Sequence, residues 1–227
     1  MRELHGIAAS PGTACAPVFI FKDDFSLSIP SYPIAESDVD AEYARYQEAV
    51  ARAKEEVTAL RDKALQDAGA EQAAIFDAHL LMLDDPEVNE NIKSELSSTL
   101  MNVESVVFSI ERKTVESLAS AQDPYIQERV SDVHDVTRRI MGHLLNRERK
   151  TLSDITSDVI VVARNLLPSD MVGMARDRIK GIATEAGGRT SHAAILARAF
   201  GIPAVLGIGH FIGDLQSDTV AIVDGDR

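Results

Sequence analysis

The sequence has no tryptophan, a single cysteine and far fewer basic than acidic residues. One thiol, Cys15, cannot close an internal disulfide, so packing alone must hold the fold. It lies among small residues and reads as a structural thiol. No apolar run approaches the roughly 20 residues that span a bilayer. The opening MRELHGIAAS places charged and polar residues where a signal peptide needs a continuous apolar core. These absences point to a cytoplasmic protein with no membrane role. With 23 Lys+Arg against 36 Asp+Glu, the net charge is −13, without the basic footprint that nucleic-acid binding requires. The histidines (5, 79, 134, 143, 192 and 210) show neither H-E-x-x-H spacing nor cysteine pairing, so no metal site is expected. No G-x-S-x-G nucleophile elbow occurs.

What is present divides into two kinds of sequence. To about residue 35 the chain is strand-like and broken by Ser10-Pro11-Gly12, Pro17, Pro30 and Pro33, with PVFIF (17–21) the clearest strand. From Ser37, a suitable cap, the period changes to that of a helix. Val39, Tyr43, Tyr46, Val50, Ala53, Val57, Leu60 and Ala64 recur at alternating spacings of four and three. A second helix carries Ile75, Phe76, His79, Leu80 and Leu83 and breaks at Asp84-Asp85-Pro86. Shorter stripes follow at Val88, Ile92 and Leu96, then from Val103 to Leu118. A last helix opens at Asp123-Pro124 with Ile126, Val130, Val133, Thr137, Ile140 and Leu144 inward. Short loops between such helices imply a bundle.

After about residue 150 strands alternate with helices: VIVVA (159–163), a short helix capped by Ser169-Asp170, GIAT (181–184), a helix after Ser191, then strands near 204–206 and 219–223. That alternation is α/β. The N-terminal strands have no sheet of their own, so they join this one. The expected organisation is a discontinuous α/β domain of residues 1–35 plus 147–227, with an all-α bundle of residues 36–146 inserted. Linkers near 22–36 and 145–157 would act as hinges. Asp224-Gly225-Asp226 reads as a hairpin turn rather than a metal site. Charge follows the same division. Residues 36–150 hold 24 Asp+Glu and 14 Lys+Arg, a net −10 of the total −13, which suits either a solvated helical surface or a face that steers a basic partner.

The run GGRTSHAAILARAFGIPA (187–204) sets one histidine at the mouth of a helix. Neutral imidazole is a nucleophile near pH 7, and a phosphoryl group on its nitrogen stays labile enough to pass on. Such transfer asks the protein for positioning and charge stabilisation. Gly187 and Gly188 allow close approach of backbone amides. The helix beginning at Ser191–His192 presents unpaired N–H groups and its positive end to an anion. Arg189 offers a bidentate phosphate contact, and Thr190 and Ser191 offer hydroxyls. Gly201 is a natural stop.

The longer run GGRTSHAAILARAFGIPAVLG (187–207) resembles the phosphohistidine signature shared by Enzyme I of the bacterial sugar phosphotransferase system, phosphoenolpyruvate synthase and pyruvate phosphate dikinase. The likeness to Enzyme I extends over essentially the whole chain. GIAASPGTA (6–14), AIFDAHLLMLDDPE (74–87) and DPYIQERVSDVHDV (123–136) resemble that family's opening and its two characteristic helical stretches. The dikinases share the histidine signature without the helical insertion.

The resemblance implies an N-terminal piece of Enzyme I: a swivelling-type α/β phosphohistidine subdomain with an inserted helical subdomain that binds the carrier protein HPr. A phosphoenolpyruvate-binding barrel, with Mg²⁺ and the dimer contact, is implied C-terminal to this chain. His192 would be phosphorylated on Nε2, with Arg189 and Thr190 as its motif neighbours. His79, Arg129 and Asp132 would fall in the HPr-docking stretches, and Asp77, Asp84, Asp85 and Glu87 would add acidity there. No cofactor is implied in this part, which would be a monomer within a homodimeric whole. One departure stands out. The family commonly reads L-T-P-S where this chain has Leu166-Leu167-Pro168-Ser169. That threonine can hydrogen-bond the active histidine, and Leu167 cannot, so Ser169 or a backbone carbonyl would have to orient the ring.

Overall fold

The structure, a computed structural model, describes residues 2–22, 29–147, 151–216 and 219–226. The chain divides into two compact units, residues 1–23, 66–72 and 150–227 in one, and 24–65 and 73–149 in the other.

The first unit is built on a sheet. Strands β1 (Ile7–Ser10), β2 (Thr13–Phe21), β3 (Val159–Ala163), β4 (Ile179–Thr184), β5 (Ala204–Leu206) and β6 (Val220–Asp224) lie in the order β1-β5-β4-β3-β2-β6. Neighbours from β2 to β5 are parallel, and the edge strands β1 and β6 are antiparallel to theirs. The VIVVA run forms β3 and is buried at every position, as a central strand covered on both faces must be. PVFIF is only the second half of β2. Residues 13–17 pair with β6 and residues 18–21 with β3, so Pro17, which has no N–H to give, sits where the strand changes partner. One sheet face packs Ala16, Ile160, Val162, Ala183 and Val223 against Phe211. Helix α7 (His192–Phe200) packs against β1, β5 and the short α6 (Pro168–Gly173). The Asp224-Gly225-Asp226 turn is tied to the β1–β2 turn, where Gly225 N–H donates to the Gly12 carbonyl at 2.9 Å and Gly12 N–H to Asp226 Oδ1 at 2.9 Å.

The helices of the second unit are α1 (Val39–Asp67), α2 (Ala70–Asp84), α3 (Pro86–Thr99), α4 (Val103–Ala119) and α5 (Pro124–Leu144), except for residues 66–72 at the α1–α2 junction, which fall in the first unit. The expected α1 stripe is inward: Val39, Tyr46, Val50, Ala53, Val57 and Ala64 are buried, Tyr43 and Leu60 partly so. Ser37 does not cap this helix. It lies inside a short 3₁₀ turn, and Asp38 Oδ2 instead accepts the Ala35 N–H at 3.4 Å. The α2–α3 break falls at Asp85, which caps α3 by accepting the Glu87 N–H at 2.8 Å, with Pro86 in the first turn.

Helix α5 departs from its expected apolar stripe. Asp132, Asp135, Arg138 and Arg139 are buried beside Val136, Ile140 and Met141, whereas Ile126 is exposed. Buried charge needs a partner, and other helices supply it. Glu56 of α1 pairs with Arg139 and lies 3.0 Å from His143 Nε2, and His79 Nε2 of α2 meets Asp132 Oδ1 at 3.1 Å.

A second buried network organises the entry to the bundle. Asn102 precedes α4 as its N-cap residue, yet its side chain turns away from the helix. It accepts the Tyr32 N–H at 2.9 Å and donates to the Pro30 carbonyl at 3.1 Å and to Glu104 Oε2 at 2.7 Å. Glu42 of α1 does the capping instead, accepting the Val103 N–H at 2.8 Å. Arg45 bridges Glu42 and Glu104, each at 2.6 Å. Burial opposes the Arg45 charge, but its bonds to Glu42 and Glu104 prevail and raise its pKa. With Ile34 N–H on the Leu100 carbonyl at 2.8 Å, these bonds fasten residues 30–34, expected on the α/β side, to the helical unit. Of the two expected hinges, residues 23–28 and 148–150 lie outside the described residues.

Asn102→Ala takes the side-chain partner from three hydrogen-bonding groups around a fully buried position. It is expected to lower stability by about 2–4 kcal/mol. Urea unfolding checks the loss, and hydrogen exchange should show Tyr32 losing protection before the α1 core.

Candidate functional site

The chain leaves adjacent parallel strands β3 and β4 at their carboxyl ends, the edge where open α/β sheets hold ligands. From β3 it passes through Arg164–Leu167 into α6, and from β4 through Glu185–Ser191 into α7. The two exits are stitched together: Glu185 N–H donates to the Ala163 carbonyl at 3.1 Å and Ala186 N–H to the Arg164 carbonyl at 2.9 Å. His192 is the first residue of α7, with Ser191 as N-cap accepting the Ala194 N–H at 3.4 Å. The histidine is half-buried, and its Nδ1 is a buried atom.

The loop between β4 and α7 has its polar groups sorted. Three of its carbonyls face side-chain donors: Thr184 Oγ1 donates to Ala186 O at 2.5 Å, Ser191 Oγ to Gly188 O at 2.8 Å, and Arg198 Nη1 to Arg189 O at 3.2 Å. The N–H groups of Gly187, Gly188 and Arg189 donate to nothing among the described residues. Consecutive amides of this kind make an anion-binding concavity. Gly187 has φ 110°, which a side chain would strain, and an added Cβ at Gly188 would meet nothing within 4 Å. Gly207, at φ 67°, backs the loop, and a Cβ there would stand 2.8 Å from the Gly187 carbonyl.

The predicted phosphate group therefore lies in one loop. Arg189 and Thr190 are exposed. Ser191 holds a different bond from the one expected, since its single hydroxyl proton goes to Gly188. Leu167 is buried before α6, and its N–H donates to Asp170 Oδ2 at 3.1 Å. An apolar side chain occupies the position where a threonine hydroxyl was noted as usual. Ser169 is buried in the first turn of α6.

Glu185 carries no signal in the sequence, yet it fixes one root of this loop. Its Oε1 accepts from the Ile212 N–H at 3.0 Å and the Phe211 N–H at 2.9 Å, pinning the segment that covers one sheet face. Those two amides hold its carboxyl below the ordinary value of 4.5. Desolvation opposes them and nearby His210 adds to them.

The predicted partner-binding residues separate into two groups. His79 and Asp132 are interior, joined to each other, and Arg129 reaches Asp132 Oδ2 at 3.2 Å from a partly exposed position. Asp77, Asp84, Asp85 and Glu87 lie at or near the surface of α2 and the start of α3. Asp77 is 3.8 Å from Arg61, Asp84 pairs with Lys54, and Asp85 is the α3 cap. Between Asp77 and Asp84 stands Leu81, 74% exposed, which the sequence reading did not single out.

Comparison with known proteins agrees with this architecture. Residues 5–129 match the family described as PEP-utilising enzyme, N-terminal, and residues 155–227 the PEP-utilising enzyme, mobile domain. The chain belongs to the PEP-utilising enzymes. Within that class it is 37% identical to a solved Enzyme I, an NMR solution structure, at a TM-score of 0.76, covering 99% of this chain and 90% of that one. It is 26% identical to a structure described as the N-terminal domain of Enzyme 1 - Nitrogen, at a TM-score of 0.63, covering 99% and 91%. Among curated relatives, it is 41% identical over 225 residues to the phosphoenolpyruvate-protein phosphotransferase of Bacillus subtilis (strain 168), covering 99% of this chain and 39% of that one. The protein of the same name from Geobacillus stearothermophilus is 39% identical over 224 residues, covering 99% and 38%. The chain thus spans about two fifths of the length of these relatives.

A carboxylate whose folded pKa is depressed stabilises the protein above its unfolded pKa, and that contribution disappears as pH falls through the folded value. Glu185→Gln is therefore expected to be less stable than the parent at pH 7. The difference should close on acidification below the ordinary value of 4.5. Unfolding midpoints in urea between pH 7 and pH 3 test this, and a gap that stays constant with pH would contradict it.

Proposed function

We propose that this chain is the phosphoryl-carrying and HPr-binding part of Enzyme I. The observation that carries the reading is the row of uncommitted amides at Gly187–Arg189 beside a histidine at a helix N-terminus. Neutral His192 attacks the phosphorus of phosphoenolpyruvate through Nε2. The N–P bond forms as the P–O bond to enolpyruvate breaks, and the released enolate takes a proton to become pyruvate. A histidine of HPr then attacks the same phosphorus, and the His192 nitrogen leaves. The amides and the positive end of α7 meet the phosphate oxygens, with Arg189 and Thr190 adding donors. Ser191 serves through its cap and its bond to Gly188.

In this reading the α/β unit carries the phosphoryl group, and the helical unit docks HPr. Leu81 on α2 offers an apolar contact flanked by Asp77 and Asp84 on the same helical face, suited to a partner with a basic rim. His79 and Asp132 support that face from inside. Phosphoenolpyruvate and Mg²⁺ belong to a barrel C-terminal to this chain, which also makes the homodimer, while this part alone is monomeric. No helix among the described residues is long and apolar enough to cross a membrane, and we assign the protein to the cytoplasm. A nitrogen-branch Enzyme I is the second reading, supported by the 26% match and weakened by the 37% one. A dikinase-type mobile domain fits the helical insertion poorly.

Incubation with phosphorylated HPr should add one acid-labile phosphoryl group, read by intact mass, and His192→Ala should abolish it. Phosphoenolpyruvate with Mg²⁺ should not label this chain. A folded protein that binds HPr without accepting phosphate would instead make it a helical adaptor. Leu81→Asp is expected to weaken HPr binding about ten-fold or more, measured by titration calorimetry, with the melting temperature unchanged.

A further inference from the structure

Arg198 lies in the last turn of α7, six residues after His192, and side chains on a helix lean toward its N-terminus. Its Nη1 uses that lean to reach back to the loop, donating to the Arg189 carbonyl at 3.2 Å and to the Ala9 carbonyl of β1 at 2.8 Å. Two carbonyl oxygens therefore converge on one guanidinium nitrogen, which has a proton for each. No carboxylate among the described residues pairs with this guanidinium. The Ala186 and Gly188 carbonyls are held by neutral hydroxyls from within three residues, and Glu185 and Ala186 bond the start of the loop to the Ala163–Arg164 backbone, so Arg198 is the side chain that ties the end of the loop to β1.

We propose that Arg198 is a positioning residue for phosphoryl transfer. By clamping the Arg189 carbonyl near β1, it fixes the Arg189–Thr190 peptide that ends the loop, so that the preceding amides of Gly187–Arg189 stay presented to the phosphate on His192. This inference rests on the phosphoryl-carrier reading and deepens it. Touching neither partner face nor reacting atoms, Arg198 should affect the rate of transfer and not the affinity for the donor.

The test uses the full chain with phosphorylated HPr as donor. Arg198→Met is expected to lower kcat for phosphoryl exchange about ten-fold or more and to leave the KM for phospho-HPr within about two-fold. ¹⁵N relaxation should show Gly187–Thr190 losing order in the Met variant, and Arg198→Lys should restore part of both rate and order. If Met does not fold, Arg198→Gln is read in the same way. A neutral variant with parental kcat and loop order would overturn the proposal, as would a loss appearing in KM. Absence of exchange in the parent chain would sink the carrier reading instead, and loop order alone would then decide whether Arg198 is the clamp.

Discussion

A peptide group carries its donor and acceptor on opposite sides, so a loop can offer amides to a ligand only if its carbonyls are satisfied elsewhere. Between β4 and α7 that is done for the Ala186 and Gly188 carbonyls locally, by Thr184 and Ser191, and for the Arg189 carbonyl at longer range, by Arg198. The parallel sheet contributes by bringing two strand exits together, so that the Glu185–Ser191 loop is bonded to the Ala163–Arg164 backbone before α7 begins. Gly207 closes the back of the same loop, where its lack of a side chain lets the Gly187 carbonyl approach.

The helical unit solves a different problem with related means. Its fifth helix is too enclosed to keep its charges in water, so the charges are answered by Glu56 from α1 and by His79 from α2. At the other end, Glu42 caps α4 in place of Asn102, which leaves the asparagine to hold residues 30–34. Removing one member of either group leaves the others buried and unsatisfied, which is why such clusters fix a helix arrangement more sharply than apolar contact alone.

Much of this architecture was legible in the sequence wherever one periodicity dominated. The stripe from Val39 to Ala64, the VIVVA strand, the Asp85-Pro86 break and the Gly201 stop all follow from spacing and residue type. The location of His192 at a helix mouth was equally plain from the glycines and Ser191 before it. What was hidden shares one cause: partners distant along the chain. Apolar counting on α5 passes over Asp132, Asp135 and Arg139 because their burial depends on other helices. Ser37 looked like a cap because the 3₁₀ turn ahead of α1 leaves no trace in composition. Glu185 and Arg198 bond to backbone atoms, which have no residue identity to match. Leu81 lies off the α2 stripe of Ile75, Phe76, His79, Leu80 and Leu83, and only the packing of the helices shows how fully it is exposed.

The acidic surface of α2 is also less free than its composition implies. Asp77 and Asp84 already face Arg61 and Lys54, and Asp85 is spent on the α3 terminus, whereas Glu87 is exposed at the start of α3. A cationic visitor must therefore displace resident cations, and each exchange trades one ion pair for another at little net gain. Such a face attracts from a distance through its summed field and discriminates at contact through shape and apolar fit. Added salt would then slow the approach of a partner more than it would hasten its departure.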